Sequence, residues 1–291
     1  MLIEQLINGI TLGSIYAIVA LGFTLVFGVL GIINMAHGEI FMFGAFIGVL
    51  VTTSLQLPLW LGFLAAILIT AVMGYMLERF ALRPLRHKQG VSHLAPLIST
   101  IGVSILLENL SHHLFGAGNH PFRASFAEIN FQIGSITIYL VQIVIFVISV
   151  ILMMALSFWL GKTKAGKALR ATAENLETAS LLGVDTKRII TMTVIIASAM
   201  GGIAGILVGM AFNSVTPQMG LSMGLKGLAI IILGGMGNVK GAMAGGLILG
   251  LAETFIVVYG DSGYRDAIAF LAIIVILLIR PQGLFGQKIS T

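Results

Sequence analysis

Cysteine is absent from the 291 residues, which excludes disulfides and cysteine-ligated metal sites and removes thiol chemistry from any mechanism. Charge is almost as scarce: Lys and Arg number 16 and Asp and Glu 11, together 9 % of the chain, against about 25 % in a soluble globular domain. Proline occurs only 6 times, so long helices can run with few interruptions. No G-x-x-x-x-G-K-[ST] phosphate loop is present, so any ATPase that works with this chain is another polypeptide. There is no H-E-x-x-H, no Ser-His-Asp set and no pair of acids in a polar segment, and no catalytic activity or cofactor is expected of the chain itself.

Hydrocarbon and glycine fill the space. The hydrophobic fraction is 58 %, glycine occurs 36 times and the mean hydropathy is +1.06, which together describe an integral membrane protein whose helices pack closely through small residues. The expected fold is all-α, a polytopic transmembrane helix bundle in one domain over residues 1–291. Apolar stretches run from Leu6 to Leu30, Phe41 to Leu55, Leu59 to Leu77, Leu94 to Phe115, Ile136 to Leu160, Ile189 to Phe212, Gly224 to Leu233, Ala242 to Tyr259 and Ala267 to Ile279. A helix needs about 20 such residues to cross hydrocarbon; the short Phe41 and Gly224 segments read as half-helices, and eight to ten passages are expected. The start, Met1 to Leu6, lacks a basic region and a cleavage site, so the N-terminus is expected to be retained.

Basic residues sort by side. Arg79, Arg83, Arg86 and Lys88 form one cluster and Lys162, Lys164, Lys167, Arg170, Lys187 and Arg188 another, with Lys240, Arg280 and Lys288 joining them if the spans alternate. Only Arg123, Lys226 and Arg265 fall on the other side. The positive-inside rule then puts the clusters and the C-terminus in the cytoplasm. The net charge of +5 therefore reports topology, and nucleic acid is not an expected partner. The loop from Gly116 to Phe131, with His120, Arg123 and Glu128, is the longest external connection, fit either to meet an external partner or to serve as a solvated link.

Polar residues at membrane depth are functional candidates by default. Asn34, His37 and Glu39 concentrate after Gly28 and Gly31, and Asn238 follows Gly234, Gly235 and Gly237; this pair of glycine-interrupted segments suggests an internal repeat with a pathway at its interface. His37 and Glu39 also fit a turn that simply emerges at the cytoplasmic surface. Glu108 and Asn109 in the fourth span and Glu253 in the eighth each require a partner or a cavity, and an interhelical hydrogen bond would serve as well as a pathway role. His112, His113 and His120 carry no carboxylate at ligand spacing, and no metal site is expected.

One long polar segment interrupts the hydrocarbon, residues 166–183. Ala165, Ala168, Leu169, Thr172, Leu176, Ala179 and Gly183 fall on one helical face and Lys167, Arg170, Glu174 and Glu177 elsewhere, the pattern of a single amphipathic helix on the membrane surface or in a partner's groove. Within it, Glu177-Thr178-Ala179 followed by Gly183 resembles the E-A-A-x-x-x-G loop of ABC importer permeases, with Thr178 in place of an alanine.

Over essentially its whole length the chain resembles the permeases of branched-chain amino acid ABC importers. The resemblance rests on residues 8–22, on Phe27-Gly28 with residues 34–39 and Gly44-Ala45, on Glu78-Arg79 and residues 83–86, on Gly166 to Ala171, on residues 234–238 and on the closing Arg280-Pro281-Gln282-Gly283-Leu284-Phe285-Gly286. It implies a multi-pass bacterial inner-membrane subunit that pairs with a second related permease, sits on cytoplasmic ABC ATPase subunits, receives solute from an external substrate-binding protein, contacts membrane lipid and works by alternating access. On their polarity at membrane depth and the glycine breaks beside them, Asn34, His37, Glu39, Glu108, Asn238 and Glu253 are the candidate pathway residues. Arg170, Glu177, Ala179 and Gly183 would couple to the ATPase, with Ala179 presenting a small face to the ATPase groove and Gly183 closing the helix in a left-handed cap. Relatives that carry urea or short amides keep the solute open, and a stand-alone secondary transporter or channel, or a structural anchor subunit, are the readings from other classes.

Overall fold

The computed structural model describes residues 2–86, 94–122, 126, 129–134, 136–260 and, in the C-terminal part, 267, 270–271, 274–275, 278–280 and 282–286. Lys88, Arg123, Glu128, Arg265, Lys288 and much of the expected Ala267 to Ile279 span lie outside the described residues.

Helices dominate. They are α1 (Leu2–Leu30), α2 (His37–Val49, continued by a π-helical turn Leu50–Ser54), α3 (Leu59–Met76, continued by a π-helical stretch Leu77–Leu82), α4 (Arg83–Arg86), α5 (Ala95–Phe115), α6 (Leu140–Lys162), α7 (Lys164–Glu174), α8 (Leu176–Leu181), α9 (Thr186–Phe212), α10 (Met219–Gly234) and α11 (Val239–Tyr259). Six helical stretches among the described residues are long and apolar enough to cross a membrane, namely those in α1, α2, α3, α6, α9 and α11. Helix α5 spans 21 residues, about 30 Å at 1.5 Å per residue, but Glu108, Asn109, His112 and His113 dilute its hydropathy. At 16 residues, α10 is the short one. The expected span from Ile136 begins differently. Ile136–Tyr139 is a strand, β2, paired antiparallel with β1 (Asn130–Ile133); alternating β-branched residues after the left-handed Gly134 (φ 64°) favour a hairpin over a first helical turn.

α1, α2 and α9 bury most of their surface, whereas α3 and α6 bury only a minority, so the core is built on the first three. Two similar units make it. Helix α1 packs along α11, and α3 packs along α9; α2 lies against α9, and α10 against α1; α2 and α10 meet each other. The sequence α1–α2–α3 therefore relates to α9–α10–α11 as an internal repeat, with α1 and α9, and α2 and α10, as the equivalent pairs.

Glycine sets these contacts because helices at this separation leave no room for a Cβ. A Cβ on Gly250 would lie 2.2 Å from the backbone nitrogen of Gly13, and one on Gly205 would lie 2.2 Å from the carbonyl of Phe41. Across the α2–α10 junction a Cβ on Gly38 would sit 2.3 Å from the carbonyl of Gly220. The repeat locates its second discontinuity in residues 213–218, between α9 and α10, rather than at Gly234 to Gly237. Those glycines form the tight turn between α10 and α11, where Gly237 lies against Gly28 near the end of α1.

Gly74 packs on Ser198 and Val194, which brings Arg79 and Arg83 to the same end as Lys187 and Arg188. Helices α7 and α8 and the α10–α11 turn lie there too, and this is hereafter the basic end. At the opposite end His120, in the loop after α5, exchanges two backbone hydrogen bonds with Val215, both 2.9 Å, and Phe122 is buried in a socket floored by Gly48 and Gly209. That stretch of loop is tied to the core.

Candidate functional site

Chain direction creates the first polar feature. α1 ends at Leu30, Gly31 adopts φ 63°, and residues 31–36 turn back into the bundle, with the Met35 N–H donating to Thr100 Oγ1 at 3.2 Å. Asn34 and His37 are fully buried on this re-entrant turn, and none of their side-chain nitrogen or oxygen atoms has a hydrogen-bond partner among the described residues. The His37 ring stands edge-on to Phe23 with centroids 4.7 Å apart and fills the space left by Gly22 and Gly201. Emergence of this turn at the surface is thus overturned: glycine on α1 and α9 opens a slot that draws the imidazole inside.

Glu39, two residues on, points away from His37, as spacing of two on a helix requires. One carboxylate oxygen accepts from Ser104 Oγ on α5 at 3.3 Å, and the other packs against Gly220, at the start of α10. Glu108 on α5 is half-buried and is the neighbouring carboxylate. Asn109 is exposed and bonds its own helix at Ile105 O. Re-entrant residues 31–36, the start of α2 and the start of α10 thus meet where a protein interior must satisfy irregular backbone.

A second feature was not legible as a unit. Lys226 is buried on α10, and its Nζ lies 2.9 Å from Glu253 Oε1 on α11, while the Tyr16 hydroxyl on α1 donates to Glu253 Oε2 at 2.6 Å. Lys226 Nζ also reaches the Tyr16 oxygen at 3.2 Å. Lys226 is therefore no charge of the external side, as the span arithmetic expects, because its span is a half-helix that begins inside the bundle. Glu253 has its partners, and the triad ties α1, α10 and α11 together. The available signal was two lone charges of opposite sign in otherwise apolar spans, which cannot both be buried cheaply unless they meet.

At the basic end the polar segment is two helices, not one. Asn175 breaks it: its backbone closes α7, and its Oδ1 accepts from the N–H of Thr178 at 2.8 Å to cap α8, the side-chain competition that makes Asn a better cap than helix interior. Thr163 caps α7 through Gly166 N–H at 3.0 Å. Gly166, Leu169 and Thr172 face the bundle. Gly183 has φ 86°, and the N–H groups of Val184 and Gly183 bond the carbonyls of Ala179 and Ser180, both at 3.0 Å, a Schellman termination. Ala179 is buried within the chain and presents no face outward. Glu177 is exposed, and Leu181 and Leu182 are 82 % and 79 % exposed, so the outward surface of α8 is an acid and two leucines. The Arg170 guanidinium folds back and donates to the Leu160 carbonyl at the end of α6.

Asn238 caps α11 through Gly241 N–H at 3.1 Å and donates from Nδ2 to Phe285 O at 2.8 Å. The closing segment lies along the end of α10, Leu284 and Phe285 N–H bonding Leu233 O and Gly234 O at 2.9 and 3.0 Å. Gly235 (φ 103°) permits this turn, and the nitrogen of Gly286 would be 2.7 Å from any Cβ there. Asn238 and Arg170 both line a cleft of about 990 Å³ between the ends of α1 and α6, α7 and the α10–α11 turn. A smaller cavity of about 360 Å³ at the opposite end is lined by Asn8, Thr11, Phe122, Gln142 and Asn213 among others. Among the described residues no three His, Asp or Glu side chains gather closely enough to hold a metal ion.

The family described as branched-chain amino acid transport system / permease component matches residues 5–278. The chain belongs to that family. It is 39 % identical to the high-affinity branched-chain amino acid transport system permease protein BraD of Pseudomonas aeruginosa, over 98 % of this chain and 96 % of that one. It is 37 % identical to the permease protein LivH of Escherichia coli K12, over 98 % and 96 %. The ribose import permease protein RbsC of Haemophilus influenzae is 22 % identical, over 98 % and 87 %. Among solved structures, PsaBC from Streptococcus pneumoniae in complex with Fab shares the fold, with TM-score 0.51, 12 % identity, and 96 % of this chain and 92 % of that one covered. A multi-pass permease of this family places its polar features in context: broken helices inside the bundle and a two-helix segment on its basic end.

Proposed function

We propose that this chain is the membrane-spanning permease subunit of an ABC importer for branched-chain amino acids, carrying solute by alternating access driven by ATPases on other chains. The observation that carries the reading is the match to the permease family and to BraD and LivH along nearly the full chain. The membrane is the bacterial inner membrane. Its basic end faces the cytoplasm, on the excess of Lys and Arg there, and the C-terminal segment, packed on the α10–α11 turn, lies at that end. A second related permease completes the pathway, and an external binding protein delivers solute.

In this reading α8 is the lever. Its Schellman end holds Leu181 and Leu182 outward for an ATPase groove, and Ala179 allows close seating on the bundle, with Arg170 fixing α7 to the end of α6. Closure of the ATPases moves α7 and α8, and α6 and α9 follow because both are joined to that segment by one or a few residues. Inside, at the meeting of the α2 and α10 starts, the side chains of Asn34 and His37 make no hydrogen bond among the described residues and Glu39 accepts one, from Ser104. Such a junction has two arrangements of similar free energy, and ATP binding selects between them through differential affinity. Asn34, His37, Glu39 and Glu108 are the pathway-side residues; Glu253 contributes through the triad, and Asn238 by holding the inner turn.

The test is reconstitution with the ATPases, the second permease and the binding protein in proteoliposomes. ATP-dependent uptake of labelled leucine, isoleucine and valine in preference to urea is expected. Uptake that proceeds without the ATPases would overturn the reading in favour of a secondary transporter.

A further inference from the structure

The cleft at the basic end has a sign and a texture that transport does not require. Among its described lining residues are Arg170 and Lys240 and no Asp or Glu. The first turn of α11 opens onto it behind the Asn238 cap, adding partial positive charge. On the same lining stand three large apolar side chains left in the open: Leu176 at 45 %, Met236 at 52 % and Phe285 at 47 % exposure. A small hydrophilic anion would leave those three wetted, and a purely apolar occupant would leave both cations without counter-charge. Both demands are met by an amphiphile with an anionic head. The cleft lies between the ends of α1 and α6, helices of membrane-spanning length, which sets it at headgroup depth, where anionic lipids concentrate around basic side chains.

We propose that this cleft binds an anionic phospholipid of the leaflet at the basic end, the phosphate between Arg170 and Lys240 and the upper acyl chains against Leu176, Met236 and Phe285. Arg170 is suited to this because one guanidinium nitrogen is anchored on the Leu160 carbonyl while the planar fork keeps further donors for phosphate oxygens. The site shares α7 with the coupling segment, so a bound lipid braces the lever; that consequence rests on the proposed function, whereas lipid binding does not.

The test is native mass spectrometry of the full-length chain in its assembled complex, delipidated and titrated with phosphatidylglycerol or phosphatidylcholine. Wild type should retain phosphatidylglycerol preferentially. Arg170→Gln with Lys240→Gln should cut that preference by about 30-fold, and the exposed Lys240→Gln alone by about fivefold, from about 1 kcal/mol per basic residue. Lys187→Gln with Arg188→Gln removes equal charge at the same end outside the cleft and should leave the preference unchanged. Equal retention of both lipids by wild type, an equal loss in the Lys187 and Arg188 variant, or full preference in Lys240→Gln would each overturn the proposal. Displacement of the lipid by inorganic phosphate would make it a soluble-anion site, and retention by the isolated chain but not by the complex would show a partner subunit filling the cleft; either result overturns it too. All of these readouts are independent of transport, so a failure here leaves the importer reading standing.

Discussion

Replacing Lys226 by Met removes the ammonium 2.9 Å from Glu253 while keeping most of the side-chain volume. Glu253 then stays buried with the Tyr16 hydroxyl at 2.6 Å and loses the ammonium of Lys226. Breaking a buried pair by deleting one partner costs about 3–5 kcal/mol, most of it the penalty of a carboxylate left in a low-dielectric interior. Removing both charges, in Lys226→Met with Glu253→Gln, relieves that penalty, because a glutamine still accepts from Tyr16, and should return stability to within about 1 kcal/mol of wild type. Unfolding in micelles titrated with a denaturing detergent, followed by intrinsic fluorescence or far-UV circular dichroism, measures Lys226→Met, Glu253→Gln and the double variant against wild type as a double-mutant cycle. The expected coupling is at least about 2 kcal/mol and of the sign that rescues. A single variant within 0.5 kcal/mol of wild type, roughly the scatter of a neutral surface change, or a double variant as unstable as the sum of its parts, would refute the assignment of the triad as the clamp between α1, α10 and α11.

Gly183→Val forces a β-branched residue to φ 86°, a strain of about 1–2 kcal/mol, and should abolish substrate-stimulated ATP hydrolysis in the reconstituted complex while insertion and assembly persist; wild-type stimulation would remove α8 as the lever. Asn34→Leu replaces a buried side chain that has no hydrogen-bond partner among the described residues with an apolar one of similar size, so stability should hold or rise while transport slows several-fold, and unchanged transport would assign the re-entrant turn to packing alone. Gly250→Val places methyl groups where the backbone of Gly13 already lies, 2.2 Å from the new Cβ, and should abolish accumulation of folded protein; normal expression of that variant, or failure of cysteines at positions 9 and 251 to cross-link in the otherwise wild-type chain, would contradict the α1–α11 packing. The cysteine-free background also allows Lys164→Cys to be labelled by an impermeant thiol reagent in inside-out vesicles and not in intact cells, and the reverse pattern would invert the orientation.

Hydropathy and charge in the chain were enough to determine that it is a helical membrane protein, where most spans lie and which end is basic, because each depends on composition within a single helix length. The Gly183 termination was legible for the same reason: a cap is decided by a few consecutive residues. The residues that carry the family resemblance were visible as well, and residues 234–238 and 284–285, far apart in the chain, proved to be two sides of one contact through Asn238 and Phe285. Tertiary structure alone decided what depended on distant partners. Lys226 and Glu253 are an interior pair because α10 starts within the bundle, and Tyr16 joins them across 237 residues, a separation no periodicity reports. His37 is buried because Gly22 and Gly201, on two other helices, leave its ring a slot. The single amphipathic helix became two because one asparagine side chain outcompeted the backbone at Asn175, and Ala179 is buried by the packing around α8 rather than presented outward. Local sequence sets which segments are helical and apolar; which face of each meets which neighbour is settled only when all the helices pack at once, because burial of one side chain depends on what distant helices leave open to it.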